Sequence, residues 1–308
     1  MQIENDEGLS ALLASTEETK LCTGFTFTEG PVWVASDKAL LFSDIPGNRT
    51  YRWRPGMKEA EVYREPSGFA NGLALDARGT VLACEHGGRR VSRSPYVPGG
   101  PSAPPAVLVD RYDGKRLNSP NDLVVHSSGA IYFTDPTYGL PRPGARLVMG
   151  DPNARQELTY QAVYRTGPDG SFGVVWQDFT QPNGLAFSPD ESLLYIGDSQ
   201  DRVIRRFEVK PDGSLRGGEV FVDMSADERR GVPDGMKVDE DGRLWTTGAG
   251  GVWVVSASGK RLGVFECEEH AANIAFGGAK FATLFLTAGT SVYSVETKVR
   301  GIATGSRK

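Results

Sequence analysis

Val232-Pro233-Asp234-Gly235-Met236-Lys237-Val238 reads on its own as a tight turn running into a short strand. Pro-Asp-Gly occurs twice more, at 168–170 and 211–213, where turns between strands account for it. Asp234 differs because near-copies of its surroundings recur along the chain. They are Glu29-Gly30-Pro31-Val32-Trp33, Ala70-Asn71-Gly72-Leu73-Ala74, Pro120-Asn121-Asp122-Leu123-Val124, Pro182-Asn183-Gly184-Leu185-Ala186 and Ala272-Asn273-Ile274-Ala275-Phe276. Each copy carries an oxygen-bearing side chain at the equivalent place: Glu29, Asn71, Asn121, Asn183, Asp234 and Asn273. Intervals of 42, 50, 62, 51 and 39 residues separate these positions. Periods of about 40–50 residues in β-rich units indicate propeller blades.

The sequence inside each unit is that of a hairpin. Alternating apolar residues follow each marked position, as in Val32/Val34, Leu73/Leu75, Leu185/Phe187 and Met236/Val238. A polar or glycine-containing turn comes next, such as Ala77-Arg78-Gly79 or Glu240-Asp241-Gly242, and a second alternating run returns, such as Val81/Ala83 or Leu244/Thr246. Period two punctuated by turn residues predicts paired strands. Six such hairpins in phase predict an all-β, six-bladed β-propeller. Third and fourth strands are expected at 50–54 with 61–64 and at 203–209 with 219–223. The last unit lacks an outer strand, and residues 21–27 are expected to supply it, closing the ring and removing a sheet edge. Residues 1–20 are then a tail or short helix with Leu9, Leu12 and Leu13 as its apolar face, and 21–308 a single propeller domain. An insertion at 141–158, rich in Pro, Gly and Arg, is expected to form a loop over one face.

Composition removes several function classes. The 38 glycines and 19 prolines are spread throughout the 308 residues, which suits a fold with many turns. Net charge is −5 without a basic cluster, so the footprint of a nucleic-acid binder is absent. No run approaches the roughly 18 apolar residues of a membrane span. Residues 1–7 lack the basic start and apolar core of a secretory signal. Cys22, Cys84 and Cys267 are odd in number and outside any metal-ligand spacing, so a reduced, cytoplasmic setting is expected.

The first strand of each propeller blade lines a central channel, so the six marked residues are expected to converge on one axis and hold a metal. Glu29 and Asp234 supply two negative charges, which match a divalent cation, and the asparagine carbonyls add neutral oxygens. Such hard donors favour Ca²⁺, with Mg²⁺ or Mn²⁺ next and Zn²⁺ after them. The competing reading, that these are only turn-forming residues, suits any one copy but not six in phase. A hairpin returns to the same face 14–15 residues later, at Asp44, Glu85, Asp135 and Asp198. These acids either form an outer ring or satisfy loop amides, and the second reading is favoured for most of them. Glu85, His86, Asp135 and Tyr138, with Asn71 and Asn121, are the candidates for lining a substrate pocket. His86 is an acid/base candidate and equally a packing residue. His270 is placed at the pocket edge and His126 on the opposite face. No serine-nucleophile elbow, His-Glu-x-x-His or phosphate-binding loop occurs, so hydrolysis would depend on a metal.

At 29–45, Glu-Gly-Pro-Val-Trp followed by Leu-Leu-Phe-Ser-Asp-Ile resembles the opening signature of the gluconolactonase and regucalcin (senescence marker protein) family. Asn118-Ser119-Pro120-Asn121-Asp122, Phe133-Thr134-Asp135-Pro136, Pro182-Asn183-Gly184-Leu185, Pro233-Asp234-Gly235-Met236 and Ala275-Phe276-Gly277-Gly278 continue it. The likeness covers roughly 21–290 and is nearest the bacterial gluconolactonase branch. It implies a catalytic divalent metal on Glu29, Asn183 and Asp234, with Asn121 as a further ligand or substrate contact. It also implies hydrolysis of sugar lactones, with Asp234 as base or nucleophile. One departure is Ser119, where animal regucalcins carry a substrate-binding arginine; Arg116 or Arg142 would have to substitute. An arylesterase or phosphotriesterase on the same site, and a calcium-stabilised binding propeller without turnover, are the alternatives. Oligomeric state is not legible.

Overall fold

The computed structural model describes residues 1–142, 144 and 146–303; Pro143 and Ala145 of the insertion, and 304–308, lie outside the described residues. Six antiparallel sheets surround a central channel. The inner strands are Thr28–Val34, Ala70–Leu75, Leu123–Val125, Pro182–Phe187, Met236–Val238 and Ala271–Gly277. They contact one another in cyclic order and the sixth returns to the first, so the ring is closed. Within each blade the chain runs outward, for example from Pro182–Phe187 through Leu193–Asp198 and Val203–Val209 to Leu215–Asp223. The fold is a six-bladed β-propeller.

Its core lies between blades, because each twisted sheet buries both faces against its neighbours. The seam between the last and first blades packs Trp33, Leu40, Phe42 and Trp53 against Phe285, Val292 and Cys22. Cys22 belongs to Thr19–Thr23, which pairs antiparallel with Ser291–Glu296 as the outer strand of the last blade. Ring closure by an N-terminal strand thus matches expectation, with the strand starting two residues and ending four residues nearer the N-terminus than the expected 21–27. The three cysteines are buried and unpaired.

The first twenty residues contain the short helix expected there, and a strand that was not expected. Gln2–Glu4 pairs with Arg261–Glu266 as a fifth strand of the fifth blade. A single helical turn, Leu9–Leu12, follows. Leu9 and Leu13 are buried against Trp245, Val254 and Phe265, filling the outer gap between the fifth and sixth blades. A three-residue strand is too short to carry a pattern, so only its pairing with the fifth blade defines it. No helix among the described residues is long and apolar enough to cross a membrane.

Candidate active site

Close approach of the inner strands positions the marked residues. A Cβ on Gly30 would collide with the Asn71 carbonyl, and one on Gly184 with the Asp234 carbonyl. Glycine lets the backbones meet there, drawing Glu29 to Asn71 and Asn183 to Asp234. Hydroxyls on the second strands tie adjacent blades together. Ser43 Oγ donates to Asn71 O (2.8 Å), Thr134 Oγ1 to Asn183 O (2.8 Å) and Thr247 Oγ1 to Ala272 O (3.0 Å).

Three of the outer acids fix the segments entering those strands. Asp44 accepts from Thr26 N and Phe27 N (both 3.1 Å), and Asp198 from Thr180 N (2.7 Å) and Gln181 N (3.1 Å). Asp135 accepts from Asn118 N (2.8 Å). Each anchored segment leads within a few residues to Glu29, Asn183 or Asn121. These acids are amide anchors rather than an outer ligand ring.

Five of the six marked residues leave oxygens for the channel. Asn183 Nδ2 donates to Ser199 Oγ (3.0 Å), which itself donates to Pro233 O (2.6 Å), so the NH₂ end of Asn183 is held and its oxygen is the end left for the channel. Asn71 Oδ1 is buried with no donor among the described residues, and Asn121 is buried at the start of its strand. Asn273 is the exception. Its Oδ1 accepts from Ile274 N (2.8 Å) and its Nδ2 donates to Glu29 Oε2 (2.9 Å), so it braces Glu29 instead of joining the donor set.

Glu29 and Asp234 sit close enough to share a hydrogen bond. Burial raises the proton affinity of both, and for Asp234 the neighbouring charges of Glu29 and Asp122 add to it. Glu29 is 2 % exposed, whereas Asp234, although deep, keeps part of its surface open toward the channel mouth. Neither acid forms an ion pair with a Lys or Arg among the described residues. Asp122, a third buried carboxylate, was not among the sequence candidates. It stands in the place that is glycine after Glu29, Asn71, Asn183 and Asp234, and this was its one visible signal. Its Oδ1 accepts from Leu123 N (2.9 Å) and its Oδ2 is unpaired. Lys237 partly offsets the charge at Glu29 and Asp122. Fully ionised, three carboxylates against one ammonium would carry a double negative charge, which is what a bound cation would offset. Among the described residues no three His, Cys, Asp or Glu side chains gather round one point, so a cation here would draw on amide oxygens too. The unpaired oxygens and the excess charge fit a hard divalent cation.

The other candidates separate into mouth and interior. Tyr138 lies at the mouth, near Ser199 and Asp234, with the Arg142 guanidinium 5.1 Å from its ring centre. Burial pushes its phenol up to about 12, so it remains a donor. Arg116 is turned away, donating to Gly88 O (2.5 Å). Ser119 is fully buried: its Oγ donates to Pro136 O (2.6 Å) and accepts from Gly139 N (2.9 Å). The loop it pins covers the place where a longer side chain would extend. His86 is buried with both ring nitrogens engaged, and His270 packs beside Gly231 and Arg230.

Two of the pocket candidates serve internal contacts. Asp135 is fully buried beneath the 118–119 backbone and does not reach the mouth. Glu85 is also fully buried, held by Arg64 (2.8 Å), Arg90 (2.6 Å) and Ser92 (2.5 Å), so its carboxylate serves an internal ion-pair network. Glu85→Ala strands two arginines and is expected to cost about 3 kcal/mol of stability. A fall in Tm with kcat/KM within a few-fold of wild type would bear this out. A rise in KM without any loss of Tm would return Glu85 to the substrate-binding set.

A cavity of about 180 Å³ occupies the other half of the channel, lined by Leu73, Leu75, Val125, Val238 and Ala275 with Lys237. His126 lines that end, as expected. Its walls are mainly apolar, with one titratable pair on the lining, His126 Nε2 3.4 Å from Glu191 Oε2, whereas the converging carboxylates and amide oxygens stand at the other end.

Fold and site together define a class of six-bladed propeller in which oxygen donors from successive blades converge at one channel mouth. Residues 27–290 match the family model for the SMP-30/Gluconolactonase/LRE-like region, and the chain belongs to that family. It is 33% identical to a gluconolactonase of Zymomonas mobilis over 95% of this chain and 85% of that one. It is 29% identical to the pentonolactonase XacC of Haloferax volcanii over 84% and 80% of the two chains. The solved structure of a gluconolactonase of Xanthomonas campestris is similar with a TM-score of 0.85, 37% identity and coverage of 96% and 94%.

Proposed function

We propose that this protein is a lactonase that opens sugar lactones, with a divalent cation, Ca²⁺ by preference, held by Glu29, Asn121, Asn183 and Asp234. The observation that carries the reading is the pairing of two buried carboxylates, neither in an ion pair among the described residues, with amide oxygens at a channel mouth. Similarity to the Zymomonas and Xanthomonas gluconolactonases and to a pentonolactonase supports the substrate class. When bound, the cation would supply Lewis-acid polarisation of the lactone carbonyl.

The chain's own residues account for the remaining requirements. Glu29, closed off and braced by Asn273, holds charge without reaching substrate. Asp234 is the open member of the pair and takes the proton of the attacking water as the carbon–oxygen bond forms. The same carboxyl returns that proton to the ring oxygen as the ring bond breaks, so acid and base roles alternate on one group. Ser199 orients Asn183 so that its oxygen faces the channel. Tyr138, protonated at neutral pH, presents a hydroxyl donor beside Asp234, and the loop pinned by Ser119 limits water at the mouth.

The test is metal content of the purified protein, followed by hydrolysis of five- and six-membered lactones, aryl esters and phosphotriesters with each divalent ion. Chelation should abolish lactone opening and Ca²⁺ or Mn²⁺ should restore it. Phosphotriester turnover exceeding lactone turnover would shift the assignment to that chemistry. A metal-loaded protein inert on the whole panel would indicate a binding propeller.

A further inference from the structure

We infer that the loop following the second strand of the third blade sets substrate specificity through His86: the Met149 carbonyl fixes the imidazole, the imidazole fixes the Asn71 amide, and Asn71 Oδ1 accepts a hydrogen bond from a ring hydroxyl of the lactone. The inference rests on the lactonase reading and adds to it the selection of hydroxylated rings over bare ones.

Elementary hydrogen-bond chemistry determines the orientation of the chain. His86 Nδ1 lies 3.2 Å from Met149 O. A carbonyl only accepts, so Nδ1 carries the proton. His86 is 1 % exposed, and burial pulls its proton affinity down to about 4, so the ring is neutral and Nε2 is an acceptor. The group facing Nε2, at 3.4 Å, is therefore the NH₂ end of Asn71. The carbonyl end must point the other way, and there Asn71 Oδ1 is buried with no donor. A buried acceptor without a partner costs roughly 1–3 kcal/mol, a penalty that a substrate hydroxyl would remove.

The loop is built to hold this arrangement. Gly139 packs on His86, where a Cβ would collide with the ring and with Ser119. Gly150 in turn lies against the Gly139 carbonyl, which places the backbone of residue 149 over His86. His86 touches no reacting atom in this scheme and is a positioning residue. A site with a fixed acceptor penalises a ring that lacks the hydroxyl, because the acceptor then stays unpaired.

Three variants test this: His86→Phe, which keeps a flat ring but has neither nitrogen; His86→Gln, which keeps an acceptor; and Asn71→Ala, which removes the acceptor without touching the histidine. The readouts are kcat/KM on glucono-δ-lactone and on δ-valerolactone, a six-membered ring without hydroxyls, and the Kd of the divalent cation. The ratio of the two kcat/KM values should fall about tenfold in His86→Phe and in Asn71→Ala, chiefly through KM on the hydroxylated lactone. His86→Gln should recover part of the ratio, and cation Kd should stay at the wild-type value. Should His86→Phe fail to fold, Asn71→Ala reads the same ratio. An unchanged ratio would overturn the inference, leaving the lactonase reading intact. Parallel weakening of the cation would overturn it as well, since Asn71 Oδ1 would then be facing the ion. Wild-type protein inert on both lactones would instead remove the lactonase reading and this inference with it.

Discussion

Replacing Asp234 by Asn is expected to lower kcat/KM for glucono-δ-lactone by about 10³-fold, a loss that saturating divalent cation does not recover. The substitution keeps shape and one oxygen donor but removes a charge and the proton acceptor. The first loss weakens the cation, because one of the two facing carboxylates becomes a neutral amide. The second removes general-base catalysis, which contributes typically 10²–10⁴-fold. Titrating the cation separates the two effects: Kd rises, and kcat measured at saturation still falls. Asn121→Ala provides the contrast, since it takes away an oxygen donor without taking away a base. Its kcat at saturating cation should remain within about tenfold of wild type. Recovery of wild-type kcat by Asp234→Asn at high cation would show that the carboxylate serves only as a ligand.

Much of this arrangement was legible because propeller blades repeat. One column in phase placed Glu29, Asn71, Asn121, Asn183, Asp234 and Asn273 at the start of the six inner strands, and alternation after each predicted the hairpins. What phase does not encode is which end of an amide faces inward. Asn273 and Asn183 are equivalent in the repeat, but Ile274 N claims the oxygen of one and Ser199 the nitrogen of the other. Glu85 had the same register as Asp44 and Asp198. Its partners come from Arg64 and from Arg90 and Ser92 on a neighbouring strand, and no periodic reading predicts those. Asp122 was visible as a carboxylate in a column of glycines, although only the structure sets it beside Glu29. The contact between Met149 and His86 joins residues 63 apart through an irregular loop, where sequence carries no register at all.

Removing the divalent cation is expected to lower Tm by roughly 6 °C at pH 8 and by much less at pH 5.5. Two carboxylates about 4 Å apart repel by roughly 4 kcal/mol at an effective dielectric near 20, and a chain of this length changes Tm by somewhat under about 2 °C per kcal/mol. The sign follows from the direction of the shifts. Folding raises the proton affinity of Glu29 and Asp234 above that of unfolded carboxylates, through burial and, for Asp234, through the charge of Glu29. Groups of that kind contribute their full stability at acid pH and lose it as pH climbs through the raised folded values. Metal-free protein should therefore melt lower at pH 8 than at pH 5.5. A bound cation offsets the repulsion, and protons compete with it at low pH, so its stabilisation should grow as pH rises. Asp135 serves as an internal reference. Burial pushes its carboxyl up to about 7, away from the Glu29–Asp234 pair, so it adds a similar slope with or without cation. Only the difference between the two melting curves reports on Glu29 and Asp234. Curves that stay parallel from pH 5.5 to 8 would mean that the pair does not hold the ion. A gap that widens with pH, and closes when Asp234 is replaced by Asn, would place the cation on these two carboxylates independently of any activity measurement.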